Sequence, residues 1–138
     1  MNLTLKPIPS HLIAQMWPLL EPHYADAFTK AKVTEYTVEQ AKVYLTNGQW
    51  LAIGFFDEEN KLHGAIATSF ASYPNERIAF ITAIGGRLIA NPETFEQLKD
   101  ICRAHGATKL QGYARESVAR LWSRLGFEDR AILVEAKL

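Results

Sequence analysis

Few residues in this sequence combine a reactive side chain with a suggestive spacing. Gly85-Gly86-Arg87 is the one glycine pair followed by a cation, and Asn91-Pro92-Glu93 comes just after it. Glycines let backbone N–H groups approach an anion closely, and a helix N-terminus favours negative charge. The same stretch also reads as a self-capped helix start. Asn91 stands at the cap, Pro92 removes a donor from the first turn, and Glu93 puts a carboxylate there. Both readings stay open. Imidazole in general suits proton transfer near neutral pH, which makes His23 and His63 candidates by residue type. Neither has a visible partner, so a structural or solvated role is the plainer reading. His105 beside Gly106 suits a helix C-terminus, and Glu76-Arg77 reads as a solvated turn. Cys102 shares helical spacing with Phe95, Leu98 and Ile101 and reads as a small core residue. No Ser-His-Asp order, metal-ligand cluster or Walker-type loop is present.

The elements that must position these residues follow from periodicity. Leu3–Ile8 alternates as a short strand, and Pro7 and Pro9 keep it from being a central one. Ser10 caps a helix bearing Leu12, Ile13, Met16, Leu19 and Leu20, which Pro18 should kink or end near Trp17. His23–Lys32 is a second, weakly patterned segment, helical or irregular. Thr37-Val-Glu-Gln40 is a capping box for a helix stopping at Asn47-Gly48. Trp50–Phe56 and His63–Phe70 form an antiparallel hairpin around the polar turn Asp57–Lys61, and Ile78–Ile84 follows as a third strand. A helix from Pro92 to Gly106 and a strand Lys109–Tyr113 come next. The chain closes with a helix carrying Val118, Leu121, Trp122 and Leu125, a stop at Gly126, and a final strand Arg130–Leu138. Clustered antiparallel strands followed by alternating strand and helix imply an α+β fold: a mixed, mostly antiparallel sheet flanked by helices.

Composition sets the outer bounds. A chain of 138 residues suits one domain over 1–138. Its 48% hydrophobic and 22% charged residues are ordinary for a globular protein. Fifteen basic side chains balance fifteen acidic ones, so no overall field recruits nucleic acid or an anionic membrane. A lone cysteine favours a reducing compartment. No signal-peptide pattern or membrane-spanning run of about 20 apolar residues is present. The expectation is a cytoplasmic protein with neither membrane nor nucleic-acid partner, and with homo-oligomerisation left open.

The Leu125-Gly126-Phe127 helix end leading into a last strand, together with the element order, resembles the GNAT (Gcn5-related N-acetyltransferase) superfamily over nearly the whole chain. That resemblance implies an acetyltransferase moving an acetyl group from acetyl-CoA to a small-molecule or protein amine bound near the first two helices, with no metal. It places the cofactor at the turn after the fourth strand, here Ile84, Gly85, Gly86 and Arg87. The glycines are not in the family's spacing, so the cofactor loop is degenerate. On the last helix, Trp122 stands where the family often has a tyrosine that protonates the leaving thiolate, and Arg115 where an asparagine is common. An indole N–H donates a hydrogen bond but is no general acid. Arg115 can pair with a phosphate or simply be a solvated strand end. The family's glutamate base on the fourth strand has no counterpart, since only Thr82 is polar in Ile78–Ile84, and the catalytic residues stay unassigned. A looser resemblance, to compact GNAT-like proteins of tailed phages, implies the alternative of a non-catalytic scaffold that is virion-associated.

Overall fold

The computed structural model describes residues 2–31, 35–86 and 92–138. The order is β1 (Thr4–Ile8), a 3-10 turn, α1 (Ile13–Lys30), α2 (Val38–Thr46), β2 (Leu51–Phe56), β3 (Leu62–Ser72), β4 (Arg77–Gly86), α3 (Pro92–Ala104), β5 (Lys109–Gly112) and α4 (Glu116–Ser123). The five strands lie side by side in chain order. Three pairings are antiparallel, and β4 with β5 is parallel. This is the expected α+β sheet.

Two cores sandwich the sheet. On one face Ile13, Trp17, Leu20 and Tyr24 of α1 and Ala41 and Leu45 of α2 bury against Ala52, Ala65, Ala67 and Ala83. The small sheet residues let α1 approach closely, and the Tyr24 hydroxyl donates to the Ile66 carbonyl at 2.8 Å. On the other face Phe95, Leu98 and Cys102 of α3 and Trp122 of α4 pack on Ile53, Phe55, Ile66, Ala79 and Ile81.

Contrary to expectation, α1 runs unbroken through Pro18 and Pro22. The two prolines are four residues apart on the exposed stripe, where water can take up the carbonyls they free, while the buried stripe holds the helix to the sheet. The capping box forms as written: Thr37 accepts from the Gln40 N–H, and the Gln40 side chain accepts from the Thr37 N–H. Trp50 is gripped by Tyr44, stacked at 4.8 Å, and by Tyr36, edge-on at 4.7 Å, which fixes the chain entering and leaving α2.

β1 tolerates Pro7 because its outer edge needs no ladder there. Leu5 N–H donates outward to Gln97 of α3 at 2.9 Å, and the Gln97 amide donates to the Leu3 carbonyl at 3.2 Å. Pro7, two residues on, faces the same way, so its missing N–H costs no sheet bond.

The final strand expected at Arg130–Leu138 does not form; residues 128–138 carry no regular structure and are exposed. Branched, alternating residues favour a pleated surface only when a neighbouring strand supplies the ladder. Here none does.

Candidate functional site

The site begins with an irregularity in β4. Its pairing with β3 runs Thr68↔Ile81 and then Ala67↔Ala83, so Thr82 is an extra, unpaired residue in a bulge. The bulge changes which residues face which core. Ala79 and Ile81 before it point to α3, whereas after it Ile84 does so and Ala83 turns to α1. β5 follows β4 only from Ile78↔Lys109 to Ile81↔Gly112. Beyond Ile81 the edge of β4 that β5 had covered has no strand beside it among the described residues. Bulge and divergence coincide, and they open a wedge between the two strands lined by unladdered backbone groups.

The two sides of the wedge differ. On the α1 side the Thr82 hydroxyl donates to Ser69 Oγ at 3.1 Å, and Phe80 meets Tyr113 edge-on at 5.1 Å. These four side chains are only partly buried, and Tyr113 is 52% exposed, so helices α1 and α2 leave this patch of sheet open. On the α3 side the wedge is filled. Trp122 is buried, and its ring lies 5.0 Å from Phe127, which in turn lies 5.1 Å from Phe95. What remains among Ile81, Ile84, Phe95 and Trp122 is a cavity of about 20 Å³, room for one water.

The residues expected to meet a cofactor do not gather at one place. Ile84 lines the cavity beside Trp122, and Gly85 and Gly86 follow it at the end of β4. A Cβ on Gly85 would stand 1.9 Å from the His23 carbonyl oxygen, and one on Gly86 (φ +92°) would stand 2.4 Å from the His63 carbonyl oxygen. Both glycines therefore let α1 and β3 crowd the end of β4. Trp122 sits on the wedge itself, whereas Arg115 is exposed at the N-cap of α4 with no capping bond from its side chain. Arg87 and Asn91 lie outside the described residues. Pro92 does open α3, with Glu93 exposed in its first turn.

Other side chains depart from expectation. His63 has a partner: its Nε2 lies 2.7 Å from Asp57 Oδ2 across the hairpin, and Asp57 Oδ1 accepts from the Glu59 and Lys61 N–H groups at 2.9 Å each. The His63 hydrogen bond, then those N–H groups, hold the Asp57 carboxyl below its ordinary value. A polar turn closing on a residue five or six positions away was the signal for this pair. Burial lowers the His23 pKa, outweighing Asp26, and the nearby His63 adds to the effect. Nor is Glu76-Arg77 a free turn. Glu76 accepts from the Thr108 hydroxyl and lies 3.2 Å from Lys109 Nζ. Arg77 donates to the His105 carbonyl and Ser72 Oγ, and lies over Phe70 at 4.8 Å. Cys102 is a core residue as expected, its thiol pushed up to about 11 by burial. Among the described residues no group of three or more metal-ligating side chains is gathered, and no helix is long and apolar enough to cross a membrane.

With a five-stranded, mostly antiparallel sheet between helices on both faces, the chain has the fold of the GNAT acetyltransferases. The chain is similar over its length to a GCN5-related N-acetyltransferase from Ralstonia eutropha JMP134 (12% identity, 99% of each chain covered, TM-score 0.69). It is equally similar to an aminoglycoside acetyltransferase from an uncultured soil metagenomic sample (16% identity, 100% of this chain and 99% of that one, TM-score 0.70). A predicted acetyltransferase from Clostridium acetobutylicum, solved with acetyl-CoA, also superposes (14% identity, 99% of this chain and 96% of that one, TM-score 0.66). At these identities the likeness is one of fold. No family model matches the sequence, and no curated protein does.

Proposed function

We propose that this protein is a GNAT-type N-acetyltransferase, moving an acetyl group from acetyl-CoA to an amine through a degenerate cofactor loop. The observation that carries the reading is the unladdered edge of β4 after Ile81, at the Thr82 bulge and the departure of β5. An extended chain bearing amides can pair with such an edge as a strand would, and a thioester carbonyl can accept from its N–H groups. The donor supplies an activated acyl group: the amine lone pair attacks the thioester carbon, the C–S bond breaks, the nitrogen loses a proton and the thiolate takes one up.

The acceptor side is the open patch of Ser69, Thr82, Phe80 and Tyr113. Its hydroxyls can orient a polar acceptor, and its rings can cover a carbon skeleton. An acceptor bearing an amine fits the reading and the activity named for the soil relative. β4 carries no carboxylate, so deprotonation falls to water held by backbone groups or to a free amine arriving unprotonated.

A second reading is favoured by Trp122. Its indole fills the α3 side of the wedge and leaves about 20 Å³, as suits a scaffold that binds or builds without catalysis. Calorimetric titration with acetyl-CoA, paired with a thermal-shift assay, separates the two. At a hundredfold excess over Kd a cofactor that binds only the folded chain adds about 2.7 kcal/mol. Absence of heat and shift at millimolar acetyl-CoA would leave only the scaffold.

A further inference from the structure

The sheet face that α1 and α2 leave open is a furrow rather than a plane. Ser69 and Ala71 of β3 continue the alternation of Ala65 and Ala67, which face α1, so the floor is made of small side chains. The neighbours on both sides are aromatic. Phe80 of β4 pairs with Ser69, and Tyr113 meets its ring edge-on. On the other side Leu51 pairs with Thr68, which brings Trp50 beside Ser69, and Tyr36 stands edge-on to Trp50 at 4.7 Å. β2 and β4 are two strand spacings apart, about 10 Å. Small residues between aromatic walls leave width for a planar ring, and the furrow runs into the wedge at Thr82.

Charge is scarce along it. On this stretch of β3, β4 and β5 the described residues of the α1 side are uncharged except Lys109, whose ammonium has Glu76 at 3.2 Å. The other carboxylate near in the chain is Glu35, exposed beside Tyr36. A polycationic acceptor would bring several ammonium groups onto aromatic surface with too few counter-charges, and each would shed water without compensation. A lone amine fares differently. The attacking nitrogen must be unprotonated, and desolvation in an apolar furrow favours that neutral form. With no carboxylate on β4 to take the proton, such help matters.

Resting on the acyl-transfer reading, we infer that the acceptor is a monoamine on an aromatic skeleton, an arylalkylamine. Its ring lies in the furrow between Trp50 and Phe80, and its nitrogen lies by the Ser69 and Thr82 hydroxyls. The nitrogen bonds the acetyl carbon, the C–S bond breaks, and the proton lost from nitrogen ends on the thiolate. Polycationic amino sugars are poor acceptors.

The test reads binding and turnover separately, on the full chain. Phenylethylamine and kanamycin are titrated into ¹⁵N-labelled protein without acetyl-CoA, then each is offered with acetyl-CoA while released thiol is measured. Phenylethylamine is expected to shift the amides of Ser69, Phe80 and Tyr113 and the Trp50 indole signal, and kanamycin to leave them in place. Its kcat/KM should exceed that of kanamycin by about tenfold or more, the cost of one unmatched charge. Tyr113→Ala, at an exposed position, should weaken phenylethylamine binding about two- to tenfold with unchanged far-UV circular dichroism. Unmoved signals with phenylethylamine, equal or better use of kanamycin, or a Tyr113→Ala chain that binds as wild type would each overturn the inference, even where acetyl-CoA binds. Shifted signals without any acetyl-CoA heat would instead remove the acyl-transfer reading and leave the furrow as a site for aromatic amines.

Discussion

Trp122 closes directly on Gly112: a Cβ at that glycine would lie 3.4 Å from the indole Cζ3 and 3.4 Å from Ile81 Cβ. One contact joins the last helix to the two strands that form the wedge, so the residue that completes the second core also decides how much space the wedge leaves. Trp122→Ala should cost about 3–5 kcal/mol of stability, measured by urea unfolding. A cost below about 1 kcal/mol would mean that the indole is not packed as described.

Gly85 passes beneath the His23 carbonyl so closely that no side chain fits; a Cβ would stand 1.9 Å away, against backbone that cannot turn aside. Gly85→Ala should destabilise by about 3 kcal/mol, at the upper end of overpacking costs, with loss of α1 docking visible in near-UV circular dichroism. Neutral stability would show that α1 sits farther from β4.

Asp57 and His63 bind the two ends of the β2–β3 turn at 2.7 Å. Because the folded Asp57 carboxyl titrates below its ordinary value of 3.8, its contribution is fully present above that pH and is lost as pH falls through the lower, folded value. Asp57→Asn should therefore lower the melting temperature at pH 6 and converge with wild type in strong acid. Parallel curves from pH 6 to pH 2 would show that the carboxylate contributes nothing.

Pro92 and Glu93 stand in the first turn of α3, where a phosphate at this helix end would need donors and no negative charge. Replacing them together, Pro92→Ala with Glu93→Gly, should tighten acetyl-CoA binding about two- to fivefold, in line with a terminal charge effect. Calorimetry on both proteins checks it; an unchanged affinity would place the phosphates elsewhere.

What the sequence disclosed was local. Thr37 and Gln40 are three residues apart, and their reciprocal bonds need nothing else in the chain. Gly126, at φ +104°, stops the last helix for an equally local reason. Errors came where tertiary contacts outweigh local cost. Pro18 and Pro22 stay inside α1 because the stripe of Ile13, Trp17, Leu20 and Tyr24 is buried behind them. Segment 130–138 has strand composition, yet a strand is a relation between two segments. The Thr82 bulge, on which the candidate site depends, is a mismatch in register between β3 and β4. Nothing in Ile78–Ile84 taken alone could disclose it. The Asp57–His63 pair lay within reach, because hairpin geometry brings the two ends of a short turn together.

Acetyl-CoA binding to the wild-type chain is the most direct test of the central claim, that the wedge after Ile81 serves an acyl donor. Isothermal titration with acetyl-CoA should give one site per chain with measurable heat, and amide signals of Thr82, Ala83 and Gly112 should shift along the same titration. No heat at millimolar acetyl-CoA, with those amides unmoved, would contradict it.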